Sequence, residues 1–142
     1  MKTLNQLLQA KPHGILSIAP DARVFDALKL MADKNVGALL VMDAGQLIGI
    51  ITERDYARKV ILQGKSSLYT PVREIMTGKV LCVHPDQSVE ECMSLMTDKR
   101  VRHLPVMEGA RLIGVLSIGD LVKEMISEQE FTIRELERYI HR

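Results

Sequence analysis

Val24, Ala27, Leu28 and Met31 recur at helical spacing, and Val89, Cys92, Met93 and Met96 do the same later in the chain. Each series predicts an amphipathic helix with one apolar stripe. Ile15 to Ile18 predicts a short strand stopped by Pro20. Ala38 to Met42, the turn Asp43-Ala44-Gly45-Gln46 and Leu47 to Ile51 predict a hairpin of buried strands. Glu53 to Leu62 predicts a second helix. The order is strand–helix–strand–strand–helix, and it occurs twice. Shifted by 65 positions (85 − 20), residues 15–55 fall on 80–120 without a gap. Pro20-Asp21 meets Pro85-Asp86, Leu30-Met31 meets Leu95-Met96, Leu47-Ile48-Gly49 meets Leu112-Ile113-Gly114, and Asp55 meets Asp120. A gap-free duplication predicts two equivalent halves. One helix and a few short strands are expected to be too little to close a core alone. The halves are therefore expected to pack together and to share nearly symmetric clefts.

The flanks add elements of their own. Thr3 to Ala10 predicts a short helix with Leu4, Leu7 and Leu8 on one face, broken by Lys11-Pro12-His13-Gly14. Ser88-Val89-Glu90-Glu91 has the spacing of a capping box. Gly64 to Pro71 is polar and reads as a loop within the domain. Glu130 to His141 predicts a further helix, with Phe131, Ile133, Leu136, Tyr139 and Ile140 apolar, suited to packing on the body or on a partner chain. The expected division is 8–63 for the first repeat, 73–129 for the second and 130–142 for the terminal helix.

Composition narrows the function classes. The 142-residue chain has a net charge of +1, no Trp, two Phe and three Tyr, so neither a basic field nor stacking platforms point to nucleic acid. No apolar run approaches the ~20 residues of a membrane span. The N-terminus lacks the apolar stretch of a signal peptide, which predicts a cytoplasmic protein. Cys82 and Cys92 sit in apolar segments and are expected to be buried thiols in a reducing compartment. His13, His84, His103 and His141 show no metal-ligand spacing, so no metal is expected. No nucleophile, base and orienting group assemble from the motifs, so no enzyme is expected.

The chemistry-bearing motif is Gly49-Ile50-Ile51-Thr52-Glu53-Arg54-Asp55, repeated as Gly114-Val115-Leu116-Ser117-Ile118-Gly119-Asp120. In each, a strand ends in Thr or Ser, and Asp follows three residues later as a helix begins. One reading is purely structural: hydroxyl at the N-cap and acid at the third position cap many helices that bind nothing. The other uses the same physics for a ligand. Free N–H groups and the partial positive charge of a helix start suit a phosphate, and the hydroxyl adds a hydrogen bond. The carboxylate would repel phosphate but can accept two hydroxyl donors at once. Phosphate and a vicinal diol together describe a ribonucleotide.

Both halves resemble CBS domains, named for cystathionine β-synthase, paired as a Bateman module. The resemblance covers residues about 8–127 and rests on Pro-Asp before a Val-initiated helix, on His103-Leu104-Pro105-Val106 and on both glycine-to-aspartate segments. Thr52-Glu53-Arg54-Asp55-Tyr56 with Val72-Arg73-Glu74-Ile75-Met76-Thr77 is similar to small stand-alone CBS-pair proteins. The resemblance implies an α/β (α+β) fold of two pseudo-symmetric repeats packed through their sheets, with extra N- and C-terminal helices. It implies a homodimer and non-catalytic regulation through adenine nucleotides: AMP, ADP, ATP, NAD(H) or S-adenosylmethionine. Carried over residue by residue, one site would use Ser117, Ile118 and Asp120, with Gly119 between them, and a base pocket near His13, Ile15, Val36, Gly37 and Ala38. The other would use Thr52, Arg54 and Asp55, with Thr77, Lys79, Val80, Val101 and His103 near the base and Arg102 toward phosphate. The sites are expected to differ, because Gly119 replaces Arg54, and Arg102-His103 replace Gly37-Ala38. The alternative is a ligand-free interaction or dimerisation module acting in trans on an enzyme or transporter. Met1 and the chain's own terminal helix favour a whole protein over a fragment.

Overall fold

The computed structural model describes residues 1–11 and 14–141. In chain order the elements are α1 (Leu4–Gln9), β1 (Ser17–Ile18), α2 (Val24–Lys34), β2 (Ala38–Asp43), β3 (Gln46–Thr52), α3 (Glu53–Tyr56), α4 (Val89–Lys99), β4 (His103–Glu108), β5 (Arg111–Ser117) and α5 (Ile118–Ile140). A π-helical turn over Ala57–Ile61 extends α3, and a 3-10 turn covers Val72–Glu74. The chain forms two compact units, residues 15–80 and residues 1–14 with 81–142.

The first unit holds a three-stranded sheet of order β1-β2-β3. β1 runs parallel to β2, and β2 pairs antiparallel with β3. Ala44 and Gly45 both take positive φ, 50° and 79°, as a tight two-residue hairpin of right-handed strands requires. The second unit repeats the hairpin as β4-β5, with the same register irregularity: Val41/Met42 in one, Val106/Met107 in the other. Helix ends repeat as well. Asn35 and Arg100 close α2 and α4 in the left-handed conformation, at φ 54° and 55°.

The repeats diverge at their first strand. In the first unit the Leu40 amide donates to Leu16 O at 3.2 Å. The equivalent of Leu40 is Pro105, which has no N–H. The expected opening strand of the second repeat is reduced to one bridge, Val83 with Val106.

Each unit has its own apolar core, and each core takes residues from outside its repeat. Val24, Ala27, Met31, Leu39, Val41, Ile51 and Val60 form the first, completed by Val72 and Ile75 from beyond the repeat. Val89, Cys92, Met96, Leu104, Val106, Leu116 and Leu121 form the second, completed by Leu4 and Leu7 of α1. Recruited neighbours supply the surface that a bare repeat lacks. The 64–71 segment belongs to the first unit, where Thr70 O and Ser67 O accept the Val24 and Phe25 amides at 2.8 and 2.9 Å.

Three further expectations change. The helix predicted over 130–141 is the end of α5, one helix of 23 residues, because no Gly or Pro follows Gly119 to interrupt it. Ser88 accepts the Glu91 amide at 3.0 Å, which is half of the capping box. Ile15 lies outside β1 and is exposed. Both cysteines are thiols; Cys92 is buried and Cys82 half-buried, and burial raises the pKa of each.

Candidate functional site

In the first repeat β3 runs into α3 at Thr52, whose backbone stays extended at φ −125° and ψ 163°. The first turn of a helix has amides with no partner inside it. Here Thr52 Oγ1 accepts the Asp55 amide at 3.1 Å, and Asp55 Oδ2 accepts the Thr52 amide at 2.9 Å. The Thr52 hydroxyl also lies 3.1 Å from that oxygen. Asp55 Oδ1 takes the Lys59 ammonium at 3.0 Å. Lys59 in turn donates to Ile75 O at 2.9 Å. Asp55 is buried, so this ring of donors replaces the water it lacks.

The second repeat builds the same turn with a different cation. Ser117 Oγ accepts the Asp120 amide at 3.2 Å, and Asp120 Oδ2 accepts the Ser117 amide at 2.8 Å. The counterpart of Lys59 (59 + 65) is Glu124, a buried acid. The lysine comes instead from beyond α1: Lys11 Nζ donates to Asp120 Oδ2 at 2.9 Å and to Val115 O at 2.8 Å. Burial by itself raises the Asp120 pKa. The Lys11 hydrogen bond, the Ser117 amide and the Lys11 charge outweigh it and hold the carboxyl below its usual range. Glu124 accepts the Lys2 backbone amide at 3.3 Å.

Each hairpin opens beside its acidic turn. Ala38 pairs with Thr52, and His103 pairs with Ser117. The residue before each strand caps the helix start: Gly37 O accepts the Glu53 amide at 3.1 Å, and Arg102 O accepts the Ile118 amide at 2.8 Å. Arg102 therefore lies at the start of α5, with its side chain exposed. A Cβ on Gly37 would stand 3.0 Å from Glu53 Oε1, the movable end of an exposed side chain. A Cβ on Gly119 would meet only Ser117 Oγ, at 3.6 Å, so space does not explain the missing arginine there. His103 is half-buried. Desolvation lowers its pKa, Lys11 and Arg102 lower it further, and Asp120 opposes them.

The remaining predicted residues fall as follows. Val36 and Gly37 line a surface cavity of about 430 Å³ with Leu28, Met31, Glu53 and Tyr56. Thr77 bridges to Ile50, exchanging amide and carbonyl at 2.9 and 3.0 Å, two residues before Thr52. Thr77, Lys79 and Arg54 are exposed, Val80 is half-buried, and Val101 packs against the second core. His13 lies outside the described residues. Sequence reasoning missed both Lys11 and Lys59 as partners of the acidic turns. Lys59 stands four residues after Asp55, a spacing that signals an ion pair. Lys11 carries no such local signal.

Comparison with known proteins gives one family. The CBS domain family model matches residues 12–62 and 72–127. The mitochondrial CBS domain-containing protein CBSX3 of Arabidopsis thaliana is 47% identical over 125 residues; the match covers 84% of this chain and 61% of that protein's length. The solved structure of a protein with CBS domains from Burkholderia ambifaria is 56% identical, with a TM-score of 0.86, over 90% of this chain and 96% of the other. The CBS domain pair of protein MJ0100, solved in complex with 5′-methylthioadenosine and S-adenosyl-L-methionine, is 25% identical with a TM-score of 0.78, over 90% of this chain and 98% of the other. With the family model matching both repeats, each with its hairpin running into a capped acidic turn, the chain belongs to the CBS domain family.

Proposed function

We propose that this chain is a non-catalytic regulatory module that binds an adenine nucleotide or a related adenosyl ligand, and that it reports energy or redox state to a target enzyme or transporter. The observation that carries the reading is the acceptor capacity of Asp120. A carboxylate offers about four lone-pair sites. The Ser117 amide and Lys11 both use Oδ2, which leaves Oδ1 outside these bonds. A vicinal diol needs such an oxygen. Asp55 is more fully engaged, with bonds on both oxygens.

In this reading Asp120 and Asp55 hold ribose hydroxyls, and Ser117 and Thr52 turn their hydroxyls to phosphate. Arg102 and Arg54 add charge. Ile118 and Gly119 line the start of α5. Ile15, Val36, Gly37, Ala38, Thr77, Lys79, Val80 and His103 border the base. The solved MJ0100 pair, with its two adenosyl ligands, supports the ligand class. The cytoplasm is the compartment proposed; among the described residues no helix is long and apolar enough to cross a membrane.

Native mass spectrometry of freshly purified protein identifies a co-purified ligand by its mass. Calorimetry then compares AMP with its 2′,3′-dideoxy analogue. Loss of both hydroxyls is expected to weaken binding at least tenfold, because each hydrogen bond to a charged group contributes about 1.5–3 kcal/mol. Equal affinity for the two compounds would refute the diol assignment. The ligand-free alternative, an interaction module, is favoured by the exposed apolar residues of α5. It predicts no heat with AMP, ATP, NADH or S-adenosylmethionine.

A further inference from the structure

Each repeat has its hairpin closed by a segment from outside the repeat. On the first, Met76 lies against Gly49, and Val72 and Ile75 fill the core. On the second, Leu8 lies against Gly114, and Leu4 and Leu7 fill the core. One lysine ties each segment to an acidic turn. Lys59 Nζ bonds Asp55 Oδ1 at 3.0 Å and Ile75 O at 2.9 Å. Lys11 Nζ bonds Asp120 Oδ2 at 2.9 Å and Val115 O at 2.8 Å. The two segments differ in their other anchors. Val72 and Arg73 donate their amides to Ala22 O and Pro20 O at 2.8 and 2.9 Å, and Thr77 pairs with Ile50. α1 has six residues, too few to hold as a helix without its docking contacts, and Lys11 supplies bonds just past its C-terminal end.

We propose that Lys11 is a ligand-contacting residue of the second-repeat nucleotide site, and that α1 is the segment that tightens when this site fills. The role rests on the nucleotide reading of Asp120 and adds a contact and an output to it. An ammonium has three N–H donors, and Lys11 uses two of them on Val115 O and Asp120 Oδ2. The third N–H and Asp120 Oδ1 belong to one bonded pair and offer a donor beside an acceptor. A ribose hydroxyl is both donor and acceptor, so one hydroxyl can bridge the two. The Lys11 and Asp120 side chains are 20% and 26% exposed, within reach of a ligand from solvent. Charge acts in the same direction, because Lys11 offsets a carboxylate that would otherwise repel a phosphate. A ligand bonded to both groups must leave before Lys11 can withdraw, so it holds α1 down. Such coupling is reciprocal: docked α1 raises ligand affinity by the factor by which ligand favours docking. The first repeat lacks this lever. Its ammonium stands one helical turn from Asp55, and the segment it touches is fixed by the bonds to Ala22, Pro20 and Ile50.

The Leu7, Ala10 and Lys11 amides, bonded to Thr3 O, Gln6 O and Leu8 O, report α1 by hydrogen exchange. Exchange is measured on the full chain with and without AMP, and calorimetry on the same sample shows whether AMP binds. Saturating AMP is expected to slow the three amides about tenfold. Lys11→Met is expected to lower AMP affinity about tenfold, and to abolish the slowing even at AMP concentrations that saturate the variant. Lys11→Arg, which keeps a charge and donors, is expected to recover part of both. Without nucleotide, Asp120→Asn is expected to speed the same amides several-fold, because it weakens the Lys11 bond. AMP heat with unchanged α1 exchange, or unchanged AMP affinity in Lys11→Met, would overturn the role of Lys11 and leave the nucleotide reading in place. No heat with AMP in the wild type would overturn the nucleotide reading, and the role of Lys11 with it.

Discussion

Lys11 and Asp120 are 109 positions apart in the chain and 2.9 Å apart in space. They form the same contact that Lys59 and Asp55 form one helical turn apart at 3.0 Å. The duplicated carboxylate keeps its ammonium partner, but the source of that partner has moved from the repeat's own helix to the N-terminal segment.

Lys11→Met is expected to raise the Asp120 pKa toward the ordinary carboxylate value, because it removes the bond and the charge that hold it down. The two side chains are 20% and 26% exposed, so the stability loss is expected to be only about 1 kcal/mol after solvent screening. The sign follows from linkage. A depressed carboxyl pKa contributes stability above the unfolded value, and that stability is lost as pH falls through the folded value. The gap between wild type and variant is therefore expected to close below about pH 4. NMR titration of Asp120 with melts at several pH values checks both statements, and an unmoved Asp120 titration would refute the first.

His103 titrates below its ordinary value, with burial as the leading cause. Its neutral form is favoured in the fold, so the unfolded chain binds the proton more readily. Stability from this group is present above about pH 6.5 and is lost as pH falls through the folded pKa. His103→Gln is expected to flatten the melting temperature between pH 7 and 5 relative to wild type. Parallel slopes for the two proteins would count against this.

Asp120→Ala and Asp120→Asn are expected to separate capping from ligand binding. Alanine removes the acceptor of the Ser117 amide and is expected to cost about 1 kcal/mol of stability. Asparagine keeps a carbonyl for that amide while losing the charge. Both variants lose the Lys11 ion pair and are expected to lose at least tenfold in AMP affinity, and alanine, which also loses the acceptor of the Ser117 amide, is expected to lower the melting point further than asparagine. Calorimetry with wild-type affinity in the asparagine variant would show that the charge does not hold the diol.

Gly49→Ala is expected to cost about 2–3 kcal/mol and Gly114→Ala about 1 kcal/mol, although the two are equivalent. A Cβ at Gly49 would stand 2.6 Å from Met76 Sδ and 3.0 Å from Thr77 O, a backbone atom pinned by its bond to Ile50. At Gly114 the nearest atoms, from 2.6 Å, belong to the flexible end of Leu8. Denaturant midpoints measure the difference, and an equal loss would mean that Thr77 gives way as easily as Leu8.

Features that repeat in one register were legible in the sequence. The duplication gave both amphipathic helices, both hairpins and both acidic turns, because each apolar stripe and each turn residue appears twice. What departs from the repeat was hidden. Pro105 stands at a strand position where Leu40 donates a hydrogen bond, and only the ladder reveals that one missing N–H shortens the opening strand. Lys59 was readable from its spacing to Asp55. Lys11 was not, since nothing local links a residue after α1 to a helix more than a hundred positions away. The residues that complete the two cores were hidden for the same reason: Leu4, Leu7, Val72 and Ile75 lie outside the repeat that each completes.

The unit that contains the second repeat is made of both ends of the chain, with residues 15–80 between them. During synthesis the two units cannot mature together. Residues 15–80 are continuous and can fold as they leave the ribosome, while Leu4 and Leu7 must wait for Val89, Leu104 and Leu121. At usual elongation rates that wait is roughly 5–20 s. For that interval the first helix is an apolar segment in search of a surface, and it is then a ready target for chaperones or for the wrong neighbour on a crowded polysome.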